Sequence, residues 1–411
     1  MLLIVIVASV LYYHNFSTQR TTRTTSITTE KLISTLSTLT EVDEYDLIEK
    51  MVYTFIQKKM TNPEGGVFST YRSNYPESYY YGVNHEILAE SARILSYYAC
   101  LVENRTLFNV QYELAKNYLI GPYDVLYWKL SANMSPFKGQ YGAYGSASID
   151  DLKMAEAMLL GYEIWGDPAY LKFAERISNG IRLHEVHPSE QVLVEWFNWD
   201  FHGNTESSYY LKLSYADFSA IKKIAQYFPI WKPIMNRTME VVAKGIIPST
   251  GLAYDYYDVL EKKYLNLDHY VDSIYEIWTG TNLWSAGFND SGVRLYTFFK
   301  THYTKDGVLY TSYNPMDGGH SAYEAGAGTY ALLVRLALRV GDLEFGRTLL
   351  EQKLMTFQEV DPGNELYPAF TAEWPGNVEE ANSFDNLMSV VAIQELNQVT
   401  KGTRFLCFHW S

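Results

Sequence analysis

Three carboxylates, Glu90, Asp151 and Asp272, each stand at the front of an apolar, helix-patterned stretch of this 411-residue chain. An acid in such a place is costly to bury unless it is paired, capping or in use. The chemistry that would use this set is hydrolysis of a glycosidic bond. One protonated carboxylic acid is needed for the leaving oxygen, and one carboxylate is needed to activate water. The bland alternative is that these acids cap their helices. Ser148 with Asp151 three residues on forms a variant of the capping box, and Asp272 has the form of an N-cap. Glu86, one turn before Glu90, is the rival for its place.

Other chemistry finds less support. The two cysteines, Cys100 and Cys407, cannot build a metal cluster or a disulfide framework. No histidine pair has the spacing of a zinc protease, and His184-Glu-Val-His187 reads as loop. Gly326-Ala-Gly328 follows no strand, so helix packing accounts for it better than phosphate binding. No metal site and no cofactor are expected, because protonation and water activation suffice.

The elements that must position the acids follow from periodicity. In Ser148–Trp165 the residues Asp151, Ala155, Met158, Tyr162 and Trp165 form one stripe at helical spacing. This puts Asp151 on the core-facing side. Twelve such patterns run near 44–59, 84–102, 107–118, 150–165, 167–183, 213–228, 232–246, 272–285, 291–303, 321–340, 342–356 and 383–398. Links from even to odd patterns are tiny, as at Gly166, Pro229–Trp231 and Gly341, while the odd-to-even links are long. Loops beyond about 12–15 residues are uncommon unless they serve a function. Their recurrence with one parity predicts an all-α (α/α)6 toroid: six helical hairpins in a ring, the even helices inside, the long loops gathered on one face. An open solenoid of helix pairs would show a fixed repeat and short loops throughout.

Composition bounds the surroundings of this domain, 42–411. The chain is 47% hydrophobic and only 19% charged, with 36 Tyr and 9 Trp; the typical charged fraction is ~25%. Flat aromatic rings suit the apolar faces of sugars. A net charge of −14 argues against nucleic acid and against anionic polysaccharides. Residues 1–13 are an apolar run, short for a bilayer span and without a basic front, so 1–14 read as a truncated signal sequence or membrane anchor. The Thr- and Ser-rich segment 15–41 reads as a solvated linker. Asn-x-Ser/Thr sequons at Asn15, Asn104, Asn133, Asn236 and Asn289 are compatible with export. A secreted or surface-tethered monomer is expected.

The order Asp-x-x-Met-Ala-x-Ala-Met-Leu-x-Gly-x-x-x-Trp from Asp151 resembles the signature of glycoside hydrolase family 8, inverting endoglycanases that include cellulases, chitosanases and xylanases. Glu90-Ser-Ala-Arg-Ile-Leu-Ser-Tyr-Tyr-Ala99 with Leu107-Phe108 resembles that family's first block, which implies that Glu90 is the general acid. Ser208-Tyr-Tyr, Trp231-Lys and Thr250-Gly-Leu-Ala-Tyr-Asp255 resemble later markers in order. Tyr270-Val-Asp272-Ser-Ile-Tyr-Glu-Ile-Trp278 resembles the block that carries the general base, which implies that role for Asp272. Asp151 would hold the distorted sugar. The chain departs from the pattern at Ile149, where the family has an Asp, at Asp150, where it has a small residue, and at Tyr275, where it has an Arg.

The resemblance implies hydrolysis of a β-linked polysaccharide, most simply a β-1,4-glucan, with inversion and with the two catalytic carboxyls roughly 6.5–9.5 Å apart. Trp128, Trp196, Trp199, Tyr270, Tyr275 and Trp278 are the candidate sugar platforms. Two alternatives come from other classes: an inactive toroid that binds glycans at a cell surface, and a polysaccharide lyase on a similar ring. A disulfide between Cys100 and Cys407 would staple the seam of the ring.

Overall fold

The computed structural model describes residues 41–73, 82–136, 144–374 and 378–402. Among these lie twelve α-helices: α1 (Glu41–Lys59), α2 (Ala89–Leu101), α3 (Arg105–Leu114), α4 (Ser148–Trp165), α5 (Pro168–His184), α6 (Phe218–Tyr227), α7 (Lys232–Lys244), α8 (Ser273–Ala286), α9 (Asn289–Asp306), α10 (Ala327–Val340), α11 (Leu343–Gln352) and α12 (Ser383–Thr400). The even helices pack each on the next, α2 on α4 and so on round to α12, which returns to α2. The odd helices form an outer layer, with α1 resting on α12. This is the (α/α)6 toroid.

The short links are made by residues suited to stopping one helix and starting the next. After Trp165, Gly166 takes a left-handed φ of +68°, Asp167 accepts a hydrogen bond from the Ala169 N–H (3.0 Å), and Pro168 opens α5. Gly341 and Asp342 repeat the device before α11, Asp342 accepting from Phe345 N–H at 3.2 Å. The long links, 60–88, 120–147, 185–217, 245–272, 307–326 and 353–382, all lead into inner helices, so their loops share one face.

Two of those inner helices are preceded directly by loop pairings. Ile87 and Leu88 pair with Leu130 and Lys129 just before α2, and Val271 and Asp272 pair with Tyr313 and Ser312 just before α8. Several starts therefore fall later than periodicity predicts: 89 rather than 84, 218 rather than 213, 327 rather than 321. The expected capping box does not form. The α4 helix begins at Ser148, three residues ahead of Asp151, and the buried Ser148 hydroxyl has no hydrogen-bond partner among the described residues.

The inner helices are buried almost all round. In α4 every residue from Ser148 to Gly161 is buried except Lys153. Leu152, Met154, Met158 and Leu159 are wholly enclosed, and each such side chain contributes about 1.5–3 kcal/mol. Gly161 has no room for a side chain, since a Cβ there would lie 2.4 Å from the Phe108 ring of α3. Along the ring axis runs a cavity of about 340 Å³, from Arg93 and Trp278 near the long-loop face to Arg339 and Gly287 near the short-loop face.

Among the described residues the seam closes through hydrogen bonds. Tyr97 donates to Glu395 (2.8 Å), the Ser91 hydroxyl to Ser383 (2.9 Å), and the Gln398 amide to the Leu101 carbonyl (2.7 Å). Cys100 is buried with Sγ toward the Ala157 carbonyl of α4, while Cys407, like residues 1–40, lies outside the described residues. None of the described helices is long and apolar enough to cross a membrane.

Candidate active site

Glu90 enters the cleft from the first turn of α2, a position fixed by the Ile87–Leu88 pairing and by the Ala89 N–H bonding the Trp128 carbonyl (3.0 Å). Arg93, one turn on, is 4% exposed and spans three neighbours. It binds Asp150 of α4 through Nε, stands 3.8 Å from the Glu90 carboxyl, and lies over the Trp278 ring at 5.5 Å. Burial in the cleft pushes the Glu90 carboxyl up to about 7; Arg93 opposes this rise, and Asp150 and Asp385 add to it. An acid so placed is protonated close to neutrality and able to donate.

Across the cleft, Asp272 caps α8, its Oδ1 accepting the Ile274 N–H at 2.7 Å. The bland reading of this residue is therefore correct as far as it goes, but the cap also holds the carboxyl in the site. Burial raises its pKa, opposed by the bond to Ile274 and by the charge of Lys212. Tyr275 feels the charge of both acids. Lys212 is 9% exposed, with its ammonium 3.3 Å from the centre of the Tyr275 ring and 5.3 and 5.6 Å from Tyr215 and Tyr256. Two more acids complete this wall. Glu195 is pushed up to about 7 and Asp255 to about 6, by burial in both cases, with Lys212 pulling the other way.

Asp151 is not in this group. It is fully buried, Oδ1 accepts the Leu126 N–H at 2.7 Å, and its second oxygen is enclosed beside Glu185. Glu185 in turn accepts a bond from the Ser146 hydroxyl. Burial lifts Asp151 well above the carboxylate range and Glu185 to about 8, so this pair keeps protons at neutral pH. It ties two loops to the start of α4. The acid that faces the cleft from this helix is the preceding residue, Asp150.

Glu86, the rival for the place of Glu90, is 3% exposed, ion-paired to Lys129 at 3.0 Å and bonded by the Val83 N–H, a structural arrangement. Among the aromatics, Tyr275 and Trp278 stand at the centre of the site, and Trp278 packs edge-on to Phe384. Trp128 and Trp196 are half-buried on loops next to Glu90 and Glu195, and Tyr270 is 44% exposed just ahead of Asp272. Trp199 is no platform. It is 7% exposed and packed in a small apolar cluster with Val125 and Phe197. Sequence reasoning missed Asp150, Glu195, Lys212, Asp255 and Asp385. Of these, Asp150 and Asp385 carried a usable signal, since each lies in the first turn of an even helix, and Asp255 ends one of the motifs noted above. Among the described residues no group of three or more His, Cys, Asp or Glu is arranged to hold a metal ion.

No protein-family model matches the sequence, and no curated protein matches it. Solved structures do match. A structure described as a novel alpha-amylase from Clostridium perfringens aligns with a TM-score of 0.73 at 24% identity, over 84% of this chain and 97% of that one. A xylose complex of Rex8A from Paenibacillus barcinonensis aligns at 0.60 and 15% identity, over 87% and 93%. An endoglucanase from Klebsiella pneumoniae, a family 8 glycosyl hydrolase, aligns at 0.57 and 14% identity, over 84% and 99%. The fold of this chain is the helical toroid seen in family 8 glycosyl hydrolases.

Proposed function

We propose that the chain is a glycoside hydrolase that cleaves a neutral polysaccharide by single displacement. The observation that carries this reading is that Glu90 and Asp272 both act on one buried tyrosine, Tyr275, the first acid protonated near pH 7, the second capping its helix and under the charge of a lysine. In this scheme Glu90 gives its proton to the leaving oxygen while Asp272 takes one from the attacking water. Asp150, tied to Arg93, holds the sugar from the third side, in the place first expected of Asp151. Trp278 and Tyr275 supply apolar faces next to the reacting bond.

A β-1,4-linked glucan or xylan is the substrate class proposed, supported by the family 8 motifs and by neighbours described as an endoglucanase and as a xylose complex. The neighbour described as an alpha-amylase puts starch on the same test panel. Secretion or surface tethering, as a monomer, is proposed from the apolar first segment and the stalk-like second.

The test is release of reducing ends from cellulose, mixed-linkage glucan, xylan, chitosan and starch, followed by proton NMR of the first-formed anomer. Single displacement gives the anomer opposite to the bond cut, α from a β-linked chain, before mutarotation. A retained anomer overturns the mechanism. Silence on the whole panel favours a glycan-binding toroid instead.

A further inference from the structure

Lys212 is an expensive residue to have where it is. The residue is nine-tenths buried, and no carboxylate of a described residue reaches its ammonium within ion-pair distance. Three tyrosine faces surround it, at 3.3, 5.3 and 5.6 Å, and three acids, Glu195, Asp255 and Asp272, act on it from farther out. A buried ammonium without hydrogen-bond acceptors costs several kcal/mol by general estimate, and a tyrosine face returns only about 0.5–2 kcal/mol of this. Packing alone would be served better by methionine. The backbone holds the lysine firmly: Lys212 pairs with Tyr256 in the three-stranded sheet of Tyr210–Lys212, Tyr256–Asp258 and Lys263–Leu265. That pairing fixes the point from which the stem leaves the backbone.

We propose that Lys212 is the positioning residue of the base, its ammonium held over Tyr275 so as to keep a positive charge close to Asp272. This rests on the reading of Asp272 as the base. The groups that face Asp272 are Lys212 from the sheet, Asp255 from the loop before it, and Tyr275 and Glu276 from its own helix. Asp255 and Glu276 are acids and oppose its ionisation; Lys212 is the cation among the four. Glu276 is spent on the Ala253 N–H at 2.9 Å. The Ile274 N–H holds Asp272 Oδ1, and the Tyr275 N–H also bonds this carboxylate. Burial of the ammonium lowers the Lys212 pKa, and the three acids hold it up, so the charge it lends to Asp272 is itself maintained by its surroundings.

The experiment is a carboxyl carbon-13 NMR titration of Asp272, assigned with Asp272→Asn, in the full chain and in Lys212→Met and Lys212→Arg. In Lys212→Met the Asp272 midpoint should rise by about one pH unit or more, the effect of losing a nearby opposite charge. Lys212→Arg should return most of it. An unchanged midpoint in folded Lys212→Met overturns the proposal, as does an equal rise in Lys212→Arg. Should the methionine variant not fold, Lys212→Gln takes its place. This readout needs no substrate, so it stands apart from the hydrolase reading. On an active substrate, the acidic limb of kcat/KM should move upward with the NMR midpoint. An enzyme whose acidic limb stays put while the midpoint moves overturns the hydrolase role of Asp272 and leaves the Lys212–Asp272 link standing.

Discussion

The two ends of the inner ring carry the same kinds of residue and treat them in opposite ways. At the long-loop end Glu90, Asp150, Asp272 and Asp385 are all raised in pKa, burial outweighing what few partners they have. Deeper along the same axis burial is as severe, but cations outweigh it. Glu395 is lowered because Arg335 and Arg339 grip it, Arg335 through two bonds of 2.9 Å. Asp217 is lowered mainly by Lys153, at 3.3 Å. Helix α12 bears one of each kind, Asp385 in its first turn and Glu395 farther on. Depth therefore does not explain the difference; pairing does. Acids whose partners do not offset burial mark the end where charge is to be used, and those whose cations outweigh it hold the ring together.

The sharpest way to break that comparison is to neutralise one acid of each kind. Glu90→Gln should cut turnover about 10²–10⁴-fold, the usual worth of a general acid. It should not destabilise the fold. Because the Glu90 pKa is raised on folding, the native chain keeps a proton that the unfolded chain releases between the ordinary glutamate value and about 7. Stability thus falls as pH climbs through that window. Glutamine abolishes that fall, so thermal denaturation above pH 7 should show Glu90→Gln at least as stable as the parent. A large drop in Tm would place Glu90 with the structural acids.

Glu395→Ala should do the reverse. It strands Arg335 and Arg339 in the interior and should cost about 3–5 kcal/mol in urea denaturation. Activity per folded molecule should stay near that of the parent. Loss of activity from a fully folded variant would erase the distinction between the two ends.

Much of this architecture was legible before any coordinates. The helix count, the alternation of link lengths and the ring follow from 3.6-residue periodicity and from turns such as Gly166-Asp167-Pro168, whose chemistry is local. The site was legible only where an acid opens an even helix. The apolar stripe of α4 points to Asp151 rather than Asp150 as the inward-facing acid. The α4 helix is buried on nearly every side, however, and successive residues differ by about 100° around the axis. The stripe did not define which face looks into the cleft, and the neighbour one residue away does. Lys212, Glu195 and Asp255 had no signal of this kind. They sit on long loops whose paths are set by pairing with distant strands, as Lys212 is by Tyr256.

A smaller effect tests how the site end is built. In α10, Gly328 gives its N–H to Asp385 at 2.7 Å, and a Cβ there would fall 2.6 Å from that carboxylate and 2.5 Å from the Phe384 ring. The glycine is thus a packing residue, as its place in Gly326-Ala-Gly328 suggested. Gly328→Ala should cost about 1–3 kcal/mol by overpacking and should disturb activity as well, since Phe384 buttresses Trp278. Gly161→Ala, which meets Phe108 between α3 and α4, should cost a similar amount with turnover intact. Equal activity in both variants would show that Phe384 does not transmit to the site.

The smallest effect concerns Asp385, the one site-end acid on the helix that also carries Glu395. Its carboxylate accepts from Gly328 and from the Asn382 amide, and its negative charge is among the causes that lift Glu90. Asparagine can keep the Gly328 bond while losing the charge. Without that charge Glu90 releases its proton more readily, so its pKa should fall. The alkaline limb of kcat/KM, set by loss of the acid's proton, should then move to lower pH by roughly 0.3–0.5 unit, as expected for a like charge acting through a partly solvated cleft. The acidic limb belongs to Asp272, whose electrostatic neighbours do not include Asp385, and should not move. Glu395→Ala, measured on the folded fraction, should move neither limb. An alkaline limb that stays fixed in Asp385→Asn would mean that Asp385 does not lift Glu90, and that the acids at this end act independently rather than as one electrostatic group.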